Sequence, residues 1–138
     1  MNNKKILIVE DDPDVRKGMY VRLQASHYET FFAVDAISSI AEARKHQPDL
    51  ILLDLGLPGG DGFTVMERFK ANPYLDVIPI IIVSARTGQE NRARAMKAGA
   101  KAFLEKPVDN DELLAVIRPA LGETSKSEEP LVHDLGNL

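Results

Sequence analysis

Apolar runs and amphipathic stretches alternate five times along this chain. The runs Lys5–Val9, Thr30–Val34, Leu50–Leu53, Pro79–Val83 and Ala102–Leu104 predict strands. "LILL" and "IIIV" show no polar alternation, which suits strands covered on both faces. The stretches between predict helices. Val15, Met19 and Leu23 recur at i, i+4, i+8 and share one face. Asp12 followed by Pro13 reads as a helix cap and a first-turn proline. Asp35 is placed to cap a second helix, whose inward face would be Ile37, Ile40 and Ala41, and Met66 and Phe69 mark a third. A fourth covers about Glu90–Ala98 and stops at Gly99. Asp109 or Asn110 opens a fifth, with Leu113, Val116, Ile117 and Ala120 inward. Gly18, inside the first helix, is a local conflict that costs about 1 kcal/mol relative to alanine.

Strand–helix alternation at this spacing predicts an α/β fold: a doubly wound, five-stranded parallel sheet with helices on both faces and right-handed connections. The expected strand order is 2-1-3-4-5, which makes strands 1 and 3 neighbours and strand 2 an edge. Residues 1–122 form one domain in this reading. From Glu123 the polar run "ETSKSEEP" loses all apolar period, so 123–138 reads as a tail or linker. A chain of 138 residues can bury a core unaided. With no cysteine, disulfides, thiolate metal sites and cysteine nucleophiles are excluded. The net charge of −4 argues against direct nucleic-acid binding by this segment. No secretory signal is visible and no apolar run nears the roughly 20 residues of a membrane span, so a cytoplasmic chain away from the membrane is expected.

The candidate chemistry lies where apolar runs end. The first strand runs into Glu10, Asp11 and Asp12; the third leads to Asp54, the fourth to Ser84, the fifth to Lys106. In a parallel sheet these are all carboxyl ends and share one edge, and ligands bind outside that edge where the strand order reverses. Adjacent carboxylates disfavour one another's ionisation unless a positive partner joins them. Hard oxygen ligands suit Mg²⁺ or Mn²⁺, and such an ion keeps positions free for phosphate oxygens. Lys106 adds a point charge and Ser84 a hydroxyl donor. Asp54 would be the nucleophile, since a carboxylate can form an acyl phosphate.

With these residues in place, the sequence resembles the receiver domain of bacterial two-component response regulators. "ILIVEDDPDVR", "LILLDLGLPGGDGF", "IIIVSA" and "AFLEKP" carry the likeness, in order, over about residues 4 to 121. The resemblance implies a flavodoxin-like fold with Asp54 as phosphoacceptor. It implies that Asp11 ligates Mg²⁺ directly, that Glu10 acts through water, and that the backbone carbonyl of Gly56 is a further ligand. Ser84 would be the hydroxyl that swings toward the phosphoryl group, Lys106 its cation, and Phe103 the aromatic switch that moves inward with Ser84. A cis peptide before Pro107 is implied as well. The donor would be a phosphohistidine on a sensor histidine kinase or phosphotransfer protein. The output would pass through the fourth helix, fifth strand and fifth helix to a downstream protein or a second copy. Beyond self-phosphorylation and slow self-dephosphorylation no enzyme activity is implied. Gly56 and Arg86 depart from the residues common at their positions, where the family tunes loss of the phosphoryl group.

Plainer roles stand beside these. Asp12 reads as a cap. Gly59, Gly60 and Gly62 serve loop geometry, because no Walker or dinucleotide pattern surrounds them. Arg92, Arg94 and Lys97 read as a solvated helix face, His27 and His46 as surface residues at helix ends, and Phe103 serves equally as core. "HDLGNL", His133 to Leu138, resembles the start of a histidine-kinase H-box, which would make this chain a receiver cut from a larger response regulator or receiver–kinase protein; an ordinary acidic tail is the plainer reading. An alternative function is a Mg²⁺-dependent small-molecule phosphatase with an aspartate nucleophile, but Asp54-Leu55-Gly56 lacks the second acid of that type. Another is a degenerate receiver that only binds a partner, against which stands the complete acid–serine–lysine set.

Overall fold

The computed structural model describes residues 3–86 and 88–123. The stretch 124–138, with its expected linker and H-box-like hexapeptide, lies outside them. Strands β1 (Lys5–Val9), β2 (Glu29–Ala33), β3 (Leu50–Leu53), β4 (Ile80–Ser84) and β5 (Ala102–Glu105) form one parallel sheet in the order β2-β1-β3-β4-β5. Helices α1 (Pro13–Ala25), α2 (Ala36–His46), α3 (Gly62–Ala71), α4 (Gln89–Lys97) and α5 (Asn110–Ala120) connect them. The alternation, strand order and edge position of β2 are as the sequence predicts. Three strands shift by one residue at their boundaries: β2 and β4 at both ends, and β5, which runs on to Glu105. β2 begins at Glu29, which pairs with Lys5, and releases Val34. β4 begins at Ile80 because Pro79 has no N–H to give; its carbonyl instead accepts from the Ile51 amide at 3.0 Å.

The two-residue strand period sorts the core into two layers. Leu7, Val9, Ile51, Leu53, Ile80, Ile82 and Phe103 face α2, α3 and α4. Ile6, Ile8, Leu50, Leu52, Ile81, Val83 and Leu104 face α1 and α5, where Met19, Leu23, Leu113 and Ile117 meet them. All four residues of β3 are buried, as a central doubly covered strand requires.

Aspartates start four of the five helices. Asp12 accepts from the amides of Asp14 (2.8 Å) and Val15 (3.2 Å), Asp35 from Ser38 (2.7 Å), Asp61 from Phe63 (2.8 Å) and Asp109 from Glu112 (2.7 Å). Each such cap contributes about 1 kcal/mol and fixes where the chain turns off the sheet edge.

The inward face expected for α2 is corrected. Ile37 is 71% exposed, Ala41 is exposed and Ile40 only half-buried; Ala36, Ser39 and Ala43 are buried instead. Ser39 can sit inside because its hydroxyl donates to the Ala36 carbonyl at 2.7 Å, which satisfies it within its own turn. On α5, Leu113 and Ile117 are buried as expected and Leu114 joins them, while Val116 and Ala120 pack partly buried at the margin. His46 is more than a surface residue: its ring stacks on Phe31 at 3.8 Å.

Candidate functional site

Three backbone hydrogen bonds set the site. The Glu10 amide donates to Ala33 O (3.0 Å), the Asp54 amide to Val9 O (3.1 Å) and the Lys106 amide to Ser84 O (3.0 Å). In each case a reactive residue stands one place past its own strand and is tied to the end of the neighbouring strand. The carboxyl ends of β2, β1 and β3 therefore line up, those of β4 and β5 reach two residues further, and side chains remote in sequence meet above them.

Glu10 and Asp54 are buried, 1% and 7% exposed, while Asp11 is open to solvent. Carboxylate oxygens of Glu10, Asp11 and Asp54 all lie within 4.8 Å of one another. Lys106 reaches across them. Its Nζ donates to Glu10 Oε1 and to Asp54 Oδ2, the latter at 3.2 Å. The other oxygens are also occupied: Glu10 Oε2 accepts from the Asp12 amide (3.1 Å) and Asp54 Oδ1 from the Gly56 amide (3.1 Å). Burial pushes the Glu10 carboxyl above its usual range, and the charge of Asp54 adds to this, against the opposing hydrogen bonds from Lys106 and Asp12. For Lys106, burial alone would depress the ammonium, but the bond to Glu10 and the charges of Asp54 and Glu10 outweigh it, so its pKa rises and the cation is held.

The site thus carries three carboxylates against one ammonium, open on the Asp11 side. Ligands of one octahedral Mg²⁺ stand about 2.0–2.1 Å from it, so no two of them are more than roughly 4.2 Å apart. A spread of up to 4.8 Å fits two direct carboxylates with the third slightly withdrawn. The donor set, hard oxygens in surplus over local positive charge, fits a divalent cation.

Of the other expected residues, Ser84 is fully buried at the end of β4, and its hydroxyl oxygen accepts from the Arg86 amide at 3.1 Å. Gly56 is exposed at the mouth of the site. Phe103 is buried in the layer beneath α4, with the Arg92 guanidinium 5.1 Å from its ring centre. Arg94 lies 3.9 Å over the Phe63 ring, so two of the three basic residues assigned to a solvated face of α4 are engaged with aromatic rings. The Lys106–Pro107 peptide is cis.

Sequence reasoning missed three features. Arg16 Nη1 donates to the carbonyls of Glu10 (3.0 Å) and Asp11 (3.3 Å). Arg86 pairs with Asp61 at 3.4 Å across the mouth, near Gly56. Gly62 lies so close to the β3–α3 loop that a Cβ would stand 2.6 Å from Leu55 Cα and 2.8 Å from Asp54 O. Arg16 left a signal, an arginine one turn after the acidic cap; Arg86 and Gly62 stand out in the sequence, but their contacts do not. Beside Lys106, a cleft of about 350 Å³ opens between α1 and the β5–α5 loop, with Val15, Gly18, Met19, Pro107 and Val108 along it.

Comparison with known proteins adds the following. The family model of the response regulator receiver domain matches residues 6–118. The DNA-binding dual master transcriptional regulator RpaA of Synechocystis sp. is 36% identical over 129 residues, covering 94% of this chain and 54% of that protein. Response regulator PleD of Caulobacter vibrioides is 37% identical over 114 residues, 83% of this chain and 25% of that protein. The chain thus spans from a quarter to about half the length of these relatives. Among solved structures, the receiver domain of sensor histidine kinase PA1611 from Pseudomonas aeruginosa, which has a magnesium ion coordinated in its active site cleft, superposes with a TM-score of 0.81 at 28% identity over 88% of this chain and 100% of that one. A response regulator receiver domain protein from Methanospirillum hungatei gives 0.80 at 30% identity, over 88% of this chain and 95% of that one.

Proposed function

The chain belongs to the response regulator receiver domain family, whose members are phosphoacceptor signalling switches, and on that premise we propose that Asp54 is the acceptor and Mg²⁺ the ion of the acidic site. The observation that carries this is the convergence of Glu10, Asp11, Asp54 and Lys106 above one sheet edge. Asp54 and Asp11 would hold the ion directly with the Gly56 carbonyl, and Glu10 would act through water. When bound, the ion neutralises phosphoryl oxygens and orients them.

An oxygen of the Asp54 carboxylate attacks phosphorus as the phosphorus–nitrogen bond of a phosphohistidine breaks. The electron pair of that bond stays on the imidazole, and an acyl phosphate forms. Lys106, held cationic between Glu10 and Asp54, follows the charge onto the phosphoryl oxygens. Positioning and charge neutralisation are most of what such a transfer needs. The donor is a sensor histidine kinase or phosphotransfer protein, and the apolar cleft beside Lys106 gives it a surface next to the acceptor. Ser84 turns from the Arg86 amide toward the new phosphoryl group, and Phe103 follows. This biases a two-state equilibrium of the α4–β5–α5 face, where a downstream protein or a second copy binds. Water removes the group slowly, and the domain turns over no external substrate. With Gly56 two places after Asp54, that position offers no second acid to protonate a leaving group, which disfavours a small-molecule phosphatase.

No helix among the described residues is long and apolar enough to cross a membrane. We assign the chain to the cytoplasm, where such kinases present their phosphohistidine. The domain boundary near residue 122 is part of the same proposal. Absence of nucleic-acid contact rests only on the net charge of −4 and concerns this segment alone, since RpaA is named as DNA-binding.

The test is phosphorylation from acetyl phosphate with Mg²⁺. The parent should acquire acid-labile phosphate and Asp54→Asn none. Undiminished uptake by the variant would overturn the assignment of Asp54.

A further inference from the structure

We propose that Arg16 is a positioning residue for the metal site: its guanidinium grips the backbone of Glu10 and Asp11 so that their carboxylates converge on Asp54. The inference rests on the metal reading above. One nitrogen, Nη1, donates to both carbonyls, at 3.0 Å to Glu10 and 3.3 Å to Asp11. The Glu10 carbonyl needs such a donor. The Glu10 amide makes the bond to Ala33 at the end of β2, and beyond it the chain leaves the sheet. A partly buried carbonyl past the ladder must find a partner elsewhere. Arg16 supplies it from the first turn of α1, which is itself fixed by the Asp12 cap and by Pro13 at its start.

The loop is thereby closed on itself. Glu10 is held by Ala33 through its amide, by Asp12 through Oε2 and by Arg16 through its carbonyl. Little freedom remains for the direction in which its side chain leaves the backbone. Asp11, exposed to solvent, depends more on its peptide being oriented, and Arg16 holds that peptide through its carbonyl. Groups that orient metal ligands from outside the coordination shell typically change metal affinity about 10–100-fold when removed.

Clamp and charge make opposite predictions, which renders the proposal decisive to test. As a mere positive charge near the acids, Arg16 repels a cation, so its neutralisation would tighten Mg²⁺. As a clamp, its removal loosens Mg²⁺. Lysine keeps the charge but its ammonium ends one bond short of the Nη1 position from which both carbonyls are gripped. Arg16→Gln and Arg16→Lys should therefore be compared with the parent in the full chain. Mg²⁺ is titrated by calorimetry, Mn²⁺ by water-proton relaxation, and circular dichroism checks the fold.

Both variants are expected to bind Mg²⁺ roughly tenfold or more weakly. At saturating Mg²⁺ their phosphorylation by acetyl phosphate should return to the parent rate, a split that general damage to the fold would not produce. Unchanged affinity in both variants, or tighter binding in Arg16→Gln, overturns the clamp. So does parent-like affinity in Arg16→Lys, which also decides the matter should Arg16→Gln fail to fold. A parent that binds no Mg²⁺ overturns the metal reading itself, a result distinct from a parent that binds and variants that match it.

Discussion

Replacing Lys106 with methionine keeps an unbranched apolar stem and removes the ammonium. Glu10, 1% exposed, and Asp54, 7% exposed, then face each other without the cation that both bond in the parent. Removing one partner of a buried ion pair typically costs 3–5 kcal/mol, because a charge is left behind without compensation. This site is open on the Asp11 side, so the lower end applies, about 3 kcal/mol. For a domain of this size that lowers the melting temperature by roughly 10 °C. The assay is thermal or urea unfolding in chelator, then in excess Mg²⁺. Burial already raises the Glu10 carboxyl, and losing the lysine raises it further. A group whose folded pKa lies above its unfolded value adds stability below the unfolded value, here an ordinary 4.5, and loses it as pH climbs through the folded one. The deficit of Lys106→Met should therefore be small in acid, grow toward neutrality, and shrink again when Mg²⁺ replaces the missing charge. A deficit that ignores both pH and Mg²⁺ would refute the idea that Lys106 works by compensating these carboxylates.

Two further substitutions and a control probe other parts of the molecule. The Tyr28 hydroxyl donates to Glu123 Oε1 at 2.6 Å; burial and that carboxylate push its pKa from 10.0 to about 12. Stability from this group is complete below pH 10 and falls as pH passes toward 12, so alkaline unfolding should show this slope in the parent and lack it in Tyr28→Phe. Gly62→Ala drives a Cβ into backbone at Leu55 and Asp54, and denaturant melts should show a loss of roughly 1–3 kcal/mol together with weaker Mg²⁺ binding. Gly18→Ala, with open space around it, is the control and should gain up to about 1 kcal/mol.

Much of this architecture can be read from the chain. The uninterrupted runs at Leu50–Leu53 and Ile80–Val83 identify central strands, and the aspartate caps mark the turns. Acids, serine and lysine then fall at strand ends by simple counting. Other features escape that logic for physical reasons. On α2, Ile37 looks inward by hydrophobicity yet lies at the helix start, exposed, while Ser39 turns inward because its hydroxyl is satisfied within its own helix. Arg92 and Arg94 look like solvent-facing charges, but their partners, Phe103 and Phe63, come from other elements. The grip of Arg16 is made on backbone carbonyls, which carry no letter in a sequence.

The bonds from Glu10 to Ala33, Asp54 to Val9 and Lys106 to Ser84 have an evolutionary corollary. Each anchor joins peptide to peptide, so it does not depend on which side chain stands at the receiving end. Lineages can rewrite the outer faces of the helices, and with them the choice of partner, while the reactive atoms keep their mutual spacing.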